Sequence, residues 1–189
     1  MLVRYAFAAL ALMLGACDRA GAPQAGGANA PQLDAPAPVA EPARAFTASN
    51  AGATAATGDI NVTMATRLPD ADQAGAAPQD VLTLRGANGL VVDAEVTGAV
   101  SPATQVEGQT LRALLALPVE EPQVLVYRVA SETKPESGQG LCGAAAAAFV
   151  VVWEPSTPGD SALKVLGVAG GAPGAAGARA CPMLEYRRE

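Results

Sequence analysis

The sequence predicts a mainly β fold, a small antiparallel sandwich or open barrel with at most one short helix. Three observations support this prediction. Short runs rich in β-branched and aromatic residues recur from residue 59 onward. Several of these runs alternate apolar and polar side chains with the period of a strand. Gly, Pro, Asn and Asp separate the runs, and about seven short strands divided by such turn signals are typical of a sandwich or barrel.

The chain of 189 residues is expected to contain one folded domain, at residues 59–189, because its beginning is of low complexity. Residues 17–58 are rich in Ala, Gly and Pro and contain few large apolar side chains. Such a segment buries too little apolar surface to offset the entropy that is lost on ordering. We therefore expect residues 17–58 to form a disordered tether.

Three strands are predicted in the first half of the domain. Residues 60–65 alternate apolar and polar side chains, which indicates a strand with one buried face. Two further apolar runs, at residues 81–85 and 90–96, are joined by Gly86-Ala87-Asn88-Gly89. Because Asn and Gly tolerate positive φ angles, this linker favours the tight turn of a β-hairpin.

Residues 101–117 fit two local structures. Ser101-Pro102 is a suitable helix start, and leucines follow it at near-helical spacing. Gly108 interrupts that spacing, and residues 109–117 equally fit a strand that stops before a proline. The sequence predicts a short helix here, with a strand as the alternative.

Four strands are predicted in the remainder of the chain. Residues 123–130 alternate, whereas residues 149–153 form a continuous apolar run, which predicts a central strand covered on both faces. Residues 163–168 and 181–187 are the last two strands. The glycine-rich residues 167–177 lack the GK[ST] and GxGxxG patterns of phosphate-binding loops, so they are predicted to form a mobile surface loop.

Residues 1–16 have the organisation of a secretory signal. Arg4 supplies the positive charge, residues 5–14 are apolar, and Gly15 and Ala16 provide a small-residue exit. A helix that spans a bilayer needs about twenty apolar residues, so this segment is too short to remain as a span. We expect it to be removed from an exported protein.

The exit Leu14-Gly15-Ala16-Cys17 resembles the lipobox of bacterial lipoproteins. The resemblance implies that the Cys17 sulfur receives diacylglycerol and that the leader is cut between Ala16 and Cys17. It also implies a lipid-anchored protein of the cell envelope that faces the periplasm, since two or three acyl chains hold a protein firmly to a bilayer. Asp18 resembles the inner-membrane retention signal of enteric lipoproteins, so the inner membrane is favoured and the outer membrane is the alternative.

Two cysteines remain once Cys17 is assigned to the anchor, namely Cys142 and Cys181. An exported protein meets an oxidising compartment, so this pair is predicted to form one disulfide. The two residues lack the CxxC spacing of redox-active pairs.

The composition excludes several classes of function. The formal net charge is −6, which argues against binding to nucleic acid, because phosphate contacts require clustered Lys and Arg. The chain contains no His, so it lacks the commonest transition-metal ligand and the base of Ser-His and Cys-His nucleophile pairs. We expect no metal, no cofactor and no catalytic residue.

Two short motifs invite an enzymatic interpretation. Ser131-Glu132-Thr133-Lys134 fits the SxxK pattern of penicillin-binding proteins and β-lactamases, but no SDN or KTG motif accompanies it, so the match is accidental. Asp93 and Glu95 lie two apart on a predicted strand and share a face, as a carboxylate-only glycosidase would require of its two acids. Solvent-facing positions on a hairpin explain this pair better.

The sequence thus favours a non-catalytic binding or structural domain presented on a tether, with an envelope protein as a candidate partner. The alternative is an inhibitor of a cell-wall hydrolase, because a lipid anchor, a small β-barrel and one disulfide in an acidic chain resemble the membrane-bound lysozyme inhibitor family. That family's SxSGAxY loop is missing. Ser137-Gly138-Gln139-Gly140 is the nearest stretch, and it lacks the alanine and the tyrosine.

Overall fold

The structure is a computed structural model that describes residues 39–69, 72, 75–155 and 162–188. The chain forms two compact units, residues 1–35 and residues 36–189, and all the described residues belong to the second. The predicted signal peptide, the lipobox residues and Cys17 lie outside the described residues.

The described residues form eleven strands and two short helices. The strands are β1 (Val39–Ala40), β2 (Arg44–Ala48), β3 (Ile60–Arg67), β4 (Gln79–Gly86), β5 (Val91–Val100), β6 (Gln105–Val106), β7 (Gln109–Thr110), β8 (Val124–Thr133), β9 (Phe149–Trp153), β10 (Ala162–Ala169) and β11 (Arg179–Arg188). The helices are α1 (Ala51–Ala56), between β2 and β3, and α2 (Leu111–Leu114), between β7 and β8. Neither of them is long and apolar enough to cross a bilayer.

Eight of the strands close into one antiparallel barrel, in the order β3-β2-β11-β10-β9-β8-β5-β4, and β4 pairs back to β3. The short β1 also pairs with β3, beyond the segment that β2 occupies. β6 and β7 form a separate two-stranded ribbon. The predicted mainly β fold is confirmed. Of the two predicted architectures the structure is the barrel, which closes, and it carries two short helices.

The predicted boundary between tether and domain was too late in the chain. Residues 44–58, which we assigned to the tether, contain β2 and α1. Phe46 in β2 is 1% exposed and belongs to the barrel core. The Asn50 side chain caps α1 by accepting a hydrogen bond from the Ala53 amide at 2.8 Å. Average composition hid this order, because one aromatic residue and a good cap suffice for a short strand and one helical turn that pack on existing structure.

The barrel interior is a packed core rather than a channel, as expected for about eight strands. Inward positions of neighbouring strands lie side by side in register, for example Val152 beside Val165 and Val165 beside Leu184. The large side chains that fill the interior include Phe46, Leu82, Tyr127, Leu163, Leu184 and Tyr186.

A second apolar core lies on the outside of the barrel wall. The connection between β5 and β8 folds over the outer faces of β8, β9 and β10, and its Leu111, Leu115 and Leu117 are buried there. Val150 faces the inner core and Val151 faces the outer one, so the prediction that residues 149–153 are covered on both faces is confirmed. Within this connection the structure contains both a short helix, α2, and the β6–β7 ribbon.

One end of the barrel is plugged. The connection between β8 and β9 inserts Leu141 and Ala147 into the inner core, and α1 inserts Ala53. The disulfide between Cys142 and Cys181 ties this connection to β11. Gly167 permits the close approach, because a Cβ there would lie 2.9 Å from the Cys142 Sγ. The Glu132 carboxylate holds the same connection by accepting a hydrogen bond from the Leu141 amide at 2.8 Å.

Ala116 is a point of backbone strain directly after α2. Its φ angle is 46°, in the left-handed region that favours glycine, and its side chain is exposed. We expect Ala116→Gly to raise the free energy of unfolding by about 0.5–1 kcal/mol in urea denaturation. Ala113→Gly, at an exposed position inside α2, is the matched control and should lower it by about 1 kcal/mol. Equal losses for both variants would contradict this interpretation.

Tyr186 makes the barrel sensitive to alkali. Burial raises the pKa of its hydroxyl to about 12, although the hydrogen bond with Thr57 at 2.8 Å opposes the shift. Between pH 10 and pH 12 the unfolded chain therefore loses a proton that the folded chain retains. The Tyr186 contribution to stability should be complete below pH 10 and fall by about 1.4 kcal/mol per pH unit above it.

The measurement is urea denaturation of the wild type and of Tyr186→Phe across this pH range. The variant cannot titrate at this position, so its free energy of unfolding should fall less steeply. Identical slopes for the two proteins would show that Tyr186 does not carry the effect.

Candidate binding site at the barrel mouth

The structure brings together one predicted pair of residues and separates the candidate catalytic residues. Cys142 and Cys181 form the predicted disulfide, with Cα atoms 5.0 Å apart. No three His, Cys, Asp or Glu side chains come together as a metal-ligand set in the part of the chain that is described. The carboxylates and the SxxK residues lie on the outer wall of the barrel and beside its plugged end.

Asp93 and Glu95 share the outer face of β5, since the alternating Val92 and Ala94 face the core. The Asp93 carboxylate accepts hydrogen bonds from the Thr83 hydroxyl at 2.7 Å and from the Ser131 hydroxyl at 3.1 Å. The two carboxylates stand on the same side of an open wall. Glycosidase acids instead flank the bond that they cleave, so this geometry gives the glycosidase interpretation no support.

Glu95 is held in ion pairs. Its carboxylate lies 2.9 Å from the Arg128 guanidinium and 3.3 Å from that of Arg67. Arg128 lies on β8, which pairs with β5, and Arg67 lies on β3, which β4 separates from β5. Glu95 therefore links β3, β5 and β8 across the outer wall. A structural role accounts for these contacts.

The SxxK residues do not form a nucleophile and base pair. The Ser131 hydroxyl donates to Asp93, whereas the Lys134 ammonium donates to the backbone carbonyl of Ala144 at 2.7 Å. Lys134 also reaches the carbonyls of Gly143 and Ala145, and so it fastens the connection that plugs the barrel. The sequence interpretation of this motif as accidental agrees with these contacts.

The end of the barrel opposite the plug holds a cavity of about 170 Å³, which we call the mouth cavity. It lies where β8 begins and β9 ends, and β2, β3, β4 and β10 complete its wall. The lining residues are Arg44, Val62, Met64, Leu82, Glu121, Gln123, Val124, Leu125, Tyr127, Val152, Trp153, Glu154 and Leu163.

The floor of the mouth cavity is apolar. Val62, Leu82 and Leu163 are each at most 2% exposed and also belong to the barrel core. Leu125 stands at the lip, where it is 43% exposed, in register with Val152 on the neighbouring strand. The mouth is therefore the point where the inner core of the barrel becomes accessible.

Tyr127 supplies a hydroxyl on this apolar wall. The residue is only 2% exposed, and its hydroxyl makes no hydrogen bond with any residue that the structure describes. Among the described residues no fully buried side-chain nitrogen or oxygen lacks a partner, which agrees with a Tyr127 hydroxyl that reaches the cavity the residue lines. Burial raises the pKa of Tyr127, the nearby Asp80 adds to the shift and Arg44 opposes it. The hydroxyl thus stays protonated and can donate.

The charged groups at the rim are already paired. The Glu154 carboxylate lies 2.6 Å from the Arg44 guanidinium and 2.7 Å from that of Arg188. Both guanidinium groups also lie over the Phe46 ring, at 5.7 Å and 5.9 Å. Because these contacts fix the side chains, the rim is organised before any ligand arrives.

Trp153 and Glu121 form the other part of the rim. The Trp153 indole donates to the Glu121 carboxylate at 2.7 Å, and the Lys164 ammonium lies 5.3 Å from the Trp153 ring centre. Lys164 in turn donates to the carbonyl of Leu115 at 3.0 Å. This contact joins the rim to the connection between β5 and β8, which covers the outer core.

A shallow groove of about 270 Å³ adjoins the mouth cavity and shares Met64 with it. Glu41, Thr66 and Asp80 line the groove, and the Thr66 hydroxyl donates to the Asp80 carboxylate at 2.8 Å. The Glu41 amide donates to the Met64 carbonyl at 2.9 Å. Glu41 thus lies beside the mouth.

Comparisons of the chain with protein-family models, with curated proteins and with solved structures found no match.

Sequence reasoning missed the mouth cavity. The alternation of residues 123–130 predicts a strand with Leu125 and Tyr127 on one side, but nothing in the pattern distinguishes a residue at the mouth from one in the closed core. A single tryptophan at the end of an apolar strand was the available signal, because amphipathic aromatic residues favour sites with one apolar and one wet side.

Proposed function

We propose that this chain is a lipoprotein of the bacterial cell envelope, anchored through Cys17, whose barrel is a non-catalytic binding domain that faces the periplasm. The mouth cavity is the binding site in this proposal. The ligand or the envelope partner contacts the lip and the apolar floor. No metal or cofactor takes part.

The accessible hydroxyl of Tyr127 on an apolar floor is the observation that carries the proposal. Binding sites in small barrels lie at their mouths and combine apolar walls with a few polar groups that fix orientation. A purely structural barrel gains nothing from an unpaired hydroxyl that faces a cavity, because a packed phenylalanine there would stabilise the core equally well.

The signal segment and the lipobox support the anchor. The observed start of β1 at Val39 leaves about twenty residues between Cys17 and the barrel. In this proposal they form the tether that their composition predicts, and a coil of this length would reach about 25 Å. Asp18 favours the inner membrane, and the outer membrane remains the alternative.

Metabolic labelling with a clickable palmitate analogue tests the anchor. The wild-type protein should incorporate the label, because Cys17 carries acyl chains in this proposal, and Cys17→Ala should incorporate none. The double variant Cys142→Ser and Cys181→Ser is the matched control, since it removes the other two thiols and should keep the label. Unlabelled wild-type protein that retains residues 1–16 would refute the anchor.

A second candidate, an inhibitor of a cell-wall hydrolase, is favoured by the small closed barrel with one disulfide. Its nearest loop, Ser137–Gly140, lies in the connection that plugs the barrel, where Gly138 has a φ angle of 72° and its amide donates to the Pro135 carbonyl at 2.8 Å. This candidate therefore places the active surface at the end opposite the mouth.

Inhibition of lysozyme by the purified protein distinguishes the two candidates. If the barrel is a mouth-binding domain, lysozyme activity should be unchanged at micromolar protein. Inhibition that Gln139→Ala abolishes and Leu125→Glu leaves intact would replace the binding proposal with the inhibitor.

A further inference from the structure

We propose that the mouth cavity binds the acyl chain of a membrane phospholipid, with the ester carbonyl at the Tyr127 hydroxyl. This inference deepens the proposed function, since it names the ligand of the same site and takes its source to be the bilayer to which Cys17 attaches the chain. The binding itself can be measured without that attachment.

The shape and lining of the cavity select an apolar chain. Its volume of about 170 Å³ is below that of sites for whole drug-sized molecules. The buried side chains of Val62, Leu82 and Leu163 offer no hydrogen bonds. A flexible hydrocarbon segment fits such a space, and the remainder of the chain can lie across the lip at Leu125.

The charges of the rim argue against a charged headgroup inside the cavity. Glu154 is engaged by both Arg44 and Arg188, and Glu121 is engaged by the Trp153 indole. These pairs neutralise much of the charge at the rim, so the cavity offers a charged headgroup no unpaired carboxylate among the described lining residues. No described residue bonds the hydroxyl of Tyr127, so this hydroxyl can donate to a neutral acceptor, and the ester carbonyl of an acyl chain is such an acceptor.

Exposed apolar side chains are concentrated at this end of the barrel. Among the described residues the large apolar side chains that are exposed are Leu68, Val119 and Leu125, at 45%, 81% and 43%. Leu68 follows β3, Val119 precedes β8 and Leu125 is the second residue of β8, so all three belong to the mouth end. The plugged end offers no comparable surface in the described residues.

The first described strand also lies at the mouth end. β1 pairs with the end of β3, where Val39 lies opposite Thr66 and Ala40 opposite Ala65. We take the bilayer as the source of the ligand because the proposed function attaches the chain to it through Cys17 and because the exposed apolar side chains surround the mouth.

Trp153 provides a built-in probe, because it is the only tryptophan in the chain and it lines the cavity. The experiment uses the full mature chain with Cys17→Ala, so that no attached lipid competes. A lysophosphatidylcholine with a brominated acyl chain is added below its critical micelle concentration, and quenching of Trp153 fluorescence is recorded. We expect saturable quenching, and glycerophosphocholine without an acyl chain should not reverse it.

Leu125→Glu should weaken the binding at least tenfold, because it places a carboxylate at the lip of the cavity. Val119→Glu is the matched control. It adds the same charge at the same end, at a position that does not line the cavity, and it should leave the affinity unchanged. Both positions are exposed, and circular dichroism confirms that each variant is folded.

The role of the Tyr127 hydroxyl is measured by competition between ester-linked and ether-linked lysolipids. Wild-type protein should prefer the ester several-fold, and Tyr127→Phe should bind the two equally. Persistence of the ester preference in Tyr127→Phe would overturn the assignment of the carbonyl to this hydroxyl.

Quenching that both glutamate variants weaken equally would indicate adsorption to the apolar end and would overturn the cavity site. Absence of quenching, accompanied by crosslinking from position 125 to an envelope protein, would assign the mouth to a protein partner instead. Neither result bears on palmitate labelling of Cys17, so the failure of this inference and the failure of the anchor are distinguishable.

Discussion

The barrel depends on hydrogen bonding of a five-residue strand, β2, to two neighbours that lie far from each other in the sequence. β2 pairs with β3 on one side and with β11 on the other. Without it β3 and β11 would become open edges, and unpaired edges expose backbone donors and acceptors to other chains. Phe46, at the centre of β2, contributes its ring to the core that this closure completes.

Closure gives the two ends of the barrel different properties. One end is plugged by α1 and by the connection that carries Leu141, and the disulfide of Cys142 and Cys181 fixes that plug. The other end retains the mouth cavity, the accessible hydroxyl of Tyr127 and the exposed apolar lip. The first described strand, β1, also pairs with β3 at the mouth end. A domain with one sealed end and one accessible end is suited to binding at the mouth while the rest of the fold stays rigid.

Patterns within one strand were sufficient to predict most of the fold. The hairpin at Gly86-Ala87-Asn88-Gly89 and the doubly covered run at residues 149–153 depend on local turn chemistry and on local hydrophobicity, which the sequence displays directly. The strand β2 was missed because its stability comes from partners about 15 and 140 positions away rather than from its own composition. The rim was missed for the same reason, since Arg44 and Glu154 meet only after the barrel has closed.

Hydrogen exchange of the β2 amides in the folded protein, followed by nuclear magnetic resonance, tests this account most directly. If β2 closes the barrel, the amides of β2 that pair with β3 and β11 should exchange as slowly as those in the middle of β11, because both open only when the barrel opens. Exchange of the β2 amides at the rate of an unstructured peptide would show that residues 44–48 belong to the tether. The barrel would then be open, and the mouth described above would not exist.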